Sequence, residues 1–323
     1  MTMSSNPQNE PGDAWGRAQQ QEASALIERA LAEDLPAGDL TSDALFPAAG
    51  AASGDDGAVP GAGAVARCVF RKDGVFCGAP VAVELFEMVD PAVKVEVLAG
   101  EGSRVEQGVA VLELSGPCGS ILRGERALLN FLQRLCGIST WTASWVRELD
   151  GMESVLLDTR KTTPGWRRLE KYAVRMGGAV NHRFDLSDGI MIKDNHRWVL
   201  GKAGGTVLAD WVKTLRESSP GTFLQVEVDS RQEYLEALEV GGIDSILLDN
   251  FPPGELSWAV EEKRSRQGCE VLLEASGGIS LENVRQVAAT GVERISVGAL
   301  THSATALDVS LEMSEVFSLE QEL

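Results

Sequence analysis

Residues 157–196 read LDTRKTTPGWRRLEKYAVRMGGAVNHRFDLSDGIMIKDNH. Short apolar runs in this stretch each stop at a polar cluster: Asp158-Thr159-Arg160-Lys161, Asn181-His182-Arg183 and Lys193-Asp194-Asn195-His196. Between Asp158 and Arg197 nine Lys or Arg stand against five acids, a local charge of about +4 in a chain whose net charge is −19. Such a reversal raises the potential where an anion must be held, even when the global field repels anions. Small anionic ligands are the expected guests.

The same texture continues to about residue 300. Strand-like runs (ESVLLD, GAVNH, GIMIKD, FLQVEVD, SILLD, VLLEAS, RISVG) alternate with helical ones around 166–176, to about 218, at 230–240, near 255–266 and at 281–289. Seven strands with intervening helices predict a parallel barrel or a doubly wound sheet. No GxGxxG follows the first strand, which disfavours a dinucleotide-binding unit. Polar groups at the ends of nearly all the strands favour the barrel, because there every C-terminus surrounds one pocket, whereas an open sheet gathers ligands mainly at its switch point.

The first half differs. Residues 22–35 carry apolar positions at helical spacing, and residues 48–63 form a Gly/Ala/Ser insertion expected to be flexible. From Ala64 to Gly116, Val- and Leu-rich runs separated by glycine predict a small sheet, with PVAVELFEMV as a helix. ILRGERALLNFLQRLCGISTWTASWVRELDG then predicts a long helix interrupted near Gly137. The expected division is a disordered tail over 1–21, an α+β open-sheet domain over 22–142 and an α/β barrel over 143–303, with 304–323 packing back on the first domain.

Composition excludes several classes. A charge of −19 argues against nucleic-acid binding through a basic face. No apolar run approaches the length of a membrane helix, and the N-terminus lacks the regions of a signal peptide, so a cytoplasmic protein is expected. Five cysteines form no CxxC pair, and three scattered histidines make no zinc site.

Arg160, Lys161, His182, Arg183 and Lys193 are potential cationic donors at three strand ends. Arg167, Arg168, Lys171 and Arg175 are read instead as a solvated or salt-bridged helix face. Glu227 and Asp249 end strands beside the cations. They suit Mg²⁺ carrying a polyphosphate, or sugar hydroxyls, or plain charge balance for the arginines. EASGG (274–278) and VGALTHS (297–303) place Ser276, Gly277, Gly278 and Gly298 where a phosphate is commonly held by backbone N–H groups. His182 and His196 are possible acid/base groups, but no triad is evident. Read from the residues, the chain is a barrel enzyme acting on a phosphorylated sugar and a small anionic co-substrate, with Mg²⁺.

DTRKTTPGWR, KYAVRMGGAVNHR, IKDNH, QVEVD, ILLDN, SGGI and VGALTHS, in this order, resemble the quinolinate phosphoribosyltransferase family. EDLPAGDLTS, GVFCG and GERALLNFLQRLCGIST extend the resemblance over roughly residues 22–315. It implies an incomplete seven-stranded α/β barrel preceded by a smaller α+β open-sheet domain. The implied activity is pentosyl transfer from 5-phosphoribosyl-1-pyrophosphate to quinolinate with decarboxylation, a step of NAD biosynthesis. Arg126, Arg160, His182, Arg183 and Lys193 would then hold quinolinate and Lys161 the pyrophosphate. Glu227 and Asp249 would serve the ribose or its Mg²⁺, and Ser276, Gly277, Gly278 and Gly298 the 5-phosphate. It further implies homodimers, with possible higher assembly, in which Arg126 completes the neighbour's site. Ala179 replaces a common glycine and Trp166 a common leucine, and neither change removes a functional group. The competing readings are a related phosphoribosyltransferase for another anionic ring, and a non-catalytic binding module on the same fold.

Overall fold

The structure, a computed structural model, describes residues 15–47, 59–202 and 207–319. Two compact units emerge. The first runs to Ala143 and takes in Thr162–Gly178 and the chain from Ser303. The second comprises Ser144–Lys161 and Ala179–His302.

In the first unit, strands β1 (Ala62–Phe70), β3 (Lys94–Val97), β5 (Ala110–Pro117) and β12 (Val309–Ser318) form an antiparallel sheet in the order β12-β1-β5-β3. Two short strands, β2 (Gly74–Val75) and β4 (Arg104–Val105), pair separately. Five helices accompany them: α1 (Arg17–Asp34), α2 (Leu40–Leu45), α3 (Ala79–Val89), α4 (Cys118–Glu148, whose last residues enter the second unit) and α5 (Arg167–Met176). Helix α3 starts with a proline in its first turn. The Glu101 carboxylate accepts its leading amides from Gly78 (2.9 Å) and Ala79 (2.7 Å), joining a cap to a favourable charge at the helix N-terminus.

Four expectations change here. Residues 1–14 of the expected tail and 48–58 of the insertion lie outside the described residues, but α1 begins at Arg17 and not at Glu22. The Gln-rich turn before residue 22 has helix propensity without apolar periodicity, and Trp15 beside it packs edge-on against Tyr172. Helix α4 runs through Gly137 unbroken. That glycine marks a close approach, since a Cβ there would lie 2.1 Å from the Thr305 carbonyl oxygen and 3.0 Å from Ala306 Cα. The stretch 162–178, expected within the barrel, groups with the first unit: Leu169 N–H donates to Glu22 (3.0 Å) and Trp166 stacks on Phe131 at 5.0 Å. Lys171 on α5 is fully buried and does not belong to a solvated face.

The second unit is built on a six-stranded parallel sheet in the order β6-β11-β10-β9-β8-β7. Its strands are β6 (Val155–Leu157), β7 (Ile190–Ile192), β8 (Leu224–Val228), β9 (Ser245–Asp249), β10 (Leu272–Ser276) and β11 (Arg294–Ser296). The seventh expected strand, GAVNH, is reduced to a single parallel bridge from Val180 to Leu157. It stops there because the next residues turn to Asp158, which accepts from His182 N–H (2.8 Å) and Asn181 Nδ2 (2.6 Å). No pairing joins Val180 to β7 among the described residues, so the ring of strands is open at that point. Helices α6 (Asp194–Lys202), α7 (Leu208–Ser218), α8 (Arg231–Glu239), α9 (Pro253–Ser265), α10 (Val284–Ala288) and α11 (Ala299–His302) follow or connect these strands.

Strand side chains alternate faces. Val226, Ile246, Leu248, Leu273, Ala275 and Ile295 are buried on the apolar face. The other face carries Gln225 and Glu227, Ser245 and Asp249, Glu274 and Ser276, and Ser296, aligned by the pairs Gln225↔Ser245 and Ser276↔Asp249.

Gly137→Ala should therefore destabilise the protein by about 1–3 kcal/mol, because backbone must move to admit the methyl group. A lowered urea midpoint with unchanged slope is the expected readout; an unchanged midpoint would remove the close-approach role.

Candidate active site

A cavity of about 1050 Å³ opens in the second unit, lined by Arg160, Lys161, His182, Arg183, Lys193, Glu227, Asp249, Glu274, Ser276 and Ser296 among others. Parallel strands send these residues to a common rim, as a barrel requires. Arg160 and Lys161 follow β6, His182 and Arg183 follow the bridge at Val180, and Lys193 follows β7. Glu227 lies near the end of β8, and Asp249 and Ser276 are the last residues of β9 and β10.

Cations crowd one side. Burial and the neighbouring Arg160 both lower the Arg183 pKa, against the attraction of Asp188, Asp185 and Glu227. Arg183 donates to the Gly189 carbonyl (3.2 Å). The Arg160 Nε is buried and has no hydrogen-bond partner among the described residues. An unmet donor of this kind costs about 1–3 kcal/mol until something accepts from it, and an anionic oxygen is the natural acceptor.

Carboxylates stand beside these cations. Glu227 lies 3.8 Å from Lys193 Nζ. Its pKa is raised by burial, with Asp249 adding to the effect and Lys193 and the Asp194 backbone amide opposing it. Asp249 is raised likewise by burial, against Lys161 and Lys193. Two acids that resist ionisation are suited to partners that bring positive charge or hydroxyl donors. Among the described residues no group of three His, Cys, Asp or Glu could hold a metal ion. Glu227 and Asp249 supply at most the protein share of a Mg²⁺ shell completed by water and phosphate.

Beyond the rim, Gly277 and Gly278 hold left-handed backbone (φ 81° and 60°), and a Cβ on Gly277 would lie 2.2 Å from Asn250 Oδ1. Asn250, itself at φ 58°, donates its amide to the Ser276 carbonyl (2.8 Å). Space at Gly298 is similarly limited, by Lys161 Cδ at 2.9 Å. Gly277, Gly278 and Gly298 are not among the residues lining the cavity, although Ser276 is. Arg126 lies exposed on α4 in the first unit and is not a lining residue either.

Sequence reading passed over a buried layer beneath the rim. Gln225 Nε2 donates to Ser245 Oγ (3.1 Å) and Glu274 Oε2 (3.0 Å), while His182 Nε2 lies 3.2 Å from Gln225 Oε1 and 3.4 Å from Glu274 Oε1. Burial alone would push Glu274 up, but His182, Arg294 and Ser296 hold its pKa below the usual value. The signal was available: Glu274 interrupts an apolar run at an inward position, and a charge there needs partners. His196, read as a possible acid or base, lines the cavity and accepts the Lys193 amide on Nδ1 (3.0 Å).

Two family models together span nearly all of this architecture. The description "Quinolinate phosphoribosyl transferase, C-terminal domain" matches residues 138–312, and the corresponding N-terminal domain matches 39–136. The chain belongs to the quinolinate phosphoribosyltransferase family. Among curated relatives, a probable nicotinate-nucleotide pyrophosphorylase [carboxylating] of Bacillus subtilis is 39% identical over 289 residues, covering 90% of this chain and 92% of the relative. The nicotinate-nucleotide pyrophosphorylase [carboxylating] of Mycobacterium leprae is also 39% identical, over 89% of this chain and 95% of its own. The solved nicotinate-nucleotide pyrophosphorylase of Francisella tularensis superposes with a TM-score of 0.79 at 33% identity, covering 91% of this chain and 96% of that one.

The raised acids have a thermodynamic consequence. A carboxyl whose folded pKa exceeds its unfolded value binds more protons in the native state, so stability falls as pH rises through that window and the loss persists at neutral pH. Glu227→Gln and Asp249→Asn should each raise the Tm of the ligand-free protein at pH 7 by no more than a few degrees, since both groups are partly exposed. The gain should fade as pH drops into the carboxyl range. A lowered Tm at pH 7 for both variants would contradict the burial assignment.

Proposed function

We propose that this chain joins quinolinate to 5-phosphoribosyl-1-pyrophosphate, giving nicotinate mononucleotide, pyrophosphate and CO₂. Family membership gives the reaction, and one observation favours its location: Arg160, Arg183 and Lys193 share a single cavity with Glu227 and Asp249, and the Arg160 Nε donor is buried without a partner. The cations suit the two carboxylates of quinolinate, and arginine forks match carboxylate geometry. No side-chain nucleophile is required, because the pyridine nitrogen attacks the anomeric carbon as the bond to pyrophosphate breaks. Positioning and charge neutralisation carry such a step. When the adjacent carboxylate departs as CO₂ the electron pair stays on the ring carbon, where the positive charge of the neighbouring quaternary nitrogen stabilises it until a solvent proton takes its place.

Lys161 is assigned to the pyrophosphate, Glu227 and Asp249 to the ribose hydroxyls, and Ser276, Gly277, Gly278 and Gly298 to the 5-phosphate. The two acids would also hold Mg²⁺, which when bound neutralises charge on the pyrophosphate. The protein is assigned to the cytoplasm; no helix among the described residues is long and apolar enough to cross a membrane. Arg126, exposed on α4, is assigned to the neighbouring subunit's site in a homodimer.

CO₂ release from quinolinate should require both phosphoribosyl pyrophosphate and Mg²⁺, and nicotinate should be a very poor substrate because a monocarboxylate leaves part of the cationic pocket unmatched. Equal turnover of nicotinate would overturn the substrate assignment. Mixing inactive Arg126→Ala and Lys161→Ala proteins, after dissociation and reassociation, should return about a quarter of wild-type activity. Random pairing makes about half the dimers mixed, each with one good site, by two-fold symmetry. If activity stays absent although subunit exchange is independently confirmed, Arg126 does not act across an interface.

A further inference from the structure

His182 lines the cavity together with the cations, yet its ring is fully engaged by the protein. The Arg183 backbone amide donates to Nδ1 at 2.7 Å. An amide N–H can only donate, so Nδ1 must present its lone pair and carry no proton. The ring proton therefore sits on Nε2, opposite the acceptor Gln225 Oε1 at 3.2 Å, with Glu274 Oε1 3.4 Å away. The Gln225 orientation is fixed independently, because its Nε2 is committed to Ser245 and Glu274 Oε2. Behind the ring, Asp158 accepts the His182 backbone amide at 2.8 Å. Charged groups thus face this residue from three directions: Glu274 on β10, Asp158 after β6, and the adjacent Arg183.

We infer that His182 is a neutral positioning residue that fixes the Arg183 backbone, and not a cation that grips a carboxylate of quinolinate. This rests on the quinolinate reading above and deepens it. A proton on Nδ1 would set two donors 2.7 Å apart, so an imidazolium would break the contact that places Arg183. Each ring nitrogen's state is set by the hydrogen bond of the other. The cations this chain's barrel offers quinolinate then reduce to Arg160, Arg183 and Lys193.

Two measurements decide it. With only three histidines in the chain, long-range ¹⁵N–¹H spectra of the full-length protein are tractable, and the His182→Asn spectrum assigns the ring. At pH 7, free and with saturating quinolinate, His182 should show one protonated and one unprotonated nitrogen, with the proton on Nε2. A doubly protonated ring in either state, or a proton on Nδ1, would overturn the inference. Calorimetric titration with quinolinate should show His182→Ala weakened about tenfold or more, the scale of one lost charge-assisted contact. His182→Asn, whose side-chain oxygen can accept the Arg183 amide without any positive charge, should recover affinity to within about threefold of wild type. Equal weakening of both variants would mean that the imidazolium charge matters and the inference is wrong. If wild-type protein itself fails to bind quinolinate, the substrate reading fails, and the spectrum of the free enzyme still decides the state of His182.

Discussion

Parallel pairing in the second unit is the constraint from which the pocket follows. Because β6 through β11 run in one direction, the residues at their C-terminal ends converge although 138 positions separate Thr159 from Val297, roughly half the chain. Register then decides which side chains share a layer. Ser276 is level with Asp249, and Glu227 with Leu247, so a slip of one residue would send Glu227 and Glu274 to the apolar face and Val226 and Ala275 into the pocket. Burial of Ile246, Leu248 and Leu273 on the other face is what makes such a slip expensive. Packing on one face of the sheet thus enforces chemistry on the other.

Much of this was legible in the sequence, for reasons that mark out where it was not. QVEVD, SILLD and LLEAS show both the strand run and the polar residue that ends it, so the rim could be read directly. The seventh strand could not. GAVNH has the composition of a strand, but the Asp158 carboxylate competes for its backbone, and nothing in a local window reveals a partner more than twenty positions away. Gly137 misled for a related reason. Glycine lowers helix propensity, yet here the absent side chain admits the segment at Thr305, and a tertiary contact overrides the local preference. Lys171 had the same fault: charge suggested solvent, while its helix buries five further consecutive or adjacent positions from Leu169 to Val174.

Three glutamates and aspartates in one pocket illustrate how neighbours outrank residue type. Glu274 is the most deeply buried, yet its pKa is lowered, because His182, Arg294 and Ser296 favour its charge. Glu227 and Asp249 are less buried and nevertheless raised, chiefly by burial, with the charge of Asp249 adding to it at Glu227 and those of Asp194 and Asp229 at Asp249. Glu274 keeps its charge through neighbours the fold supplies, with Gln225 donating to its Oε2. The rim acids are left in a state that the fold alone does not satisfy, which is the usual condition of groups waiting for a ligand.

The acids among the cations of the stretch from Asp158 to Arg197 each carry local commitments. Asp158 is occupied by Asn181 and the His182 amide, Glu170 by Arg134 and Thr163, and Asp194 by the Asn195 amide. Asp185 accepts from the Ser187 and Asp188 amides, and Asp188 from Phe184. Every acid of the stretch from Asp158 to Arg197 therefore terminates a local turn, an amide or a packed ion pair. Asp185 and Asp188 still favour the charge of Arg183, but burial and Arg160 outweigh them. The segment holds nine Lys or Arg against five acids, and those acids also hold its loops in shape. Replacing one such loop acid by a residue that could not accept an amide would remove negative charge from the pocket and still harm anion binding, because the loop that aims the cation would be lost with it.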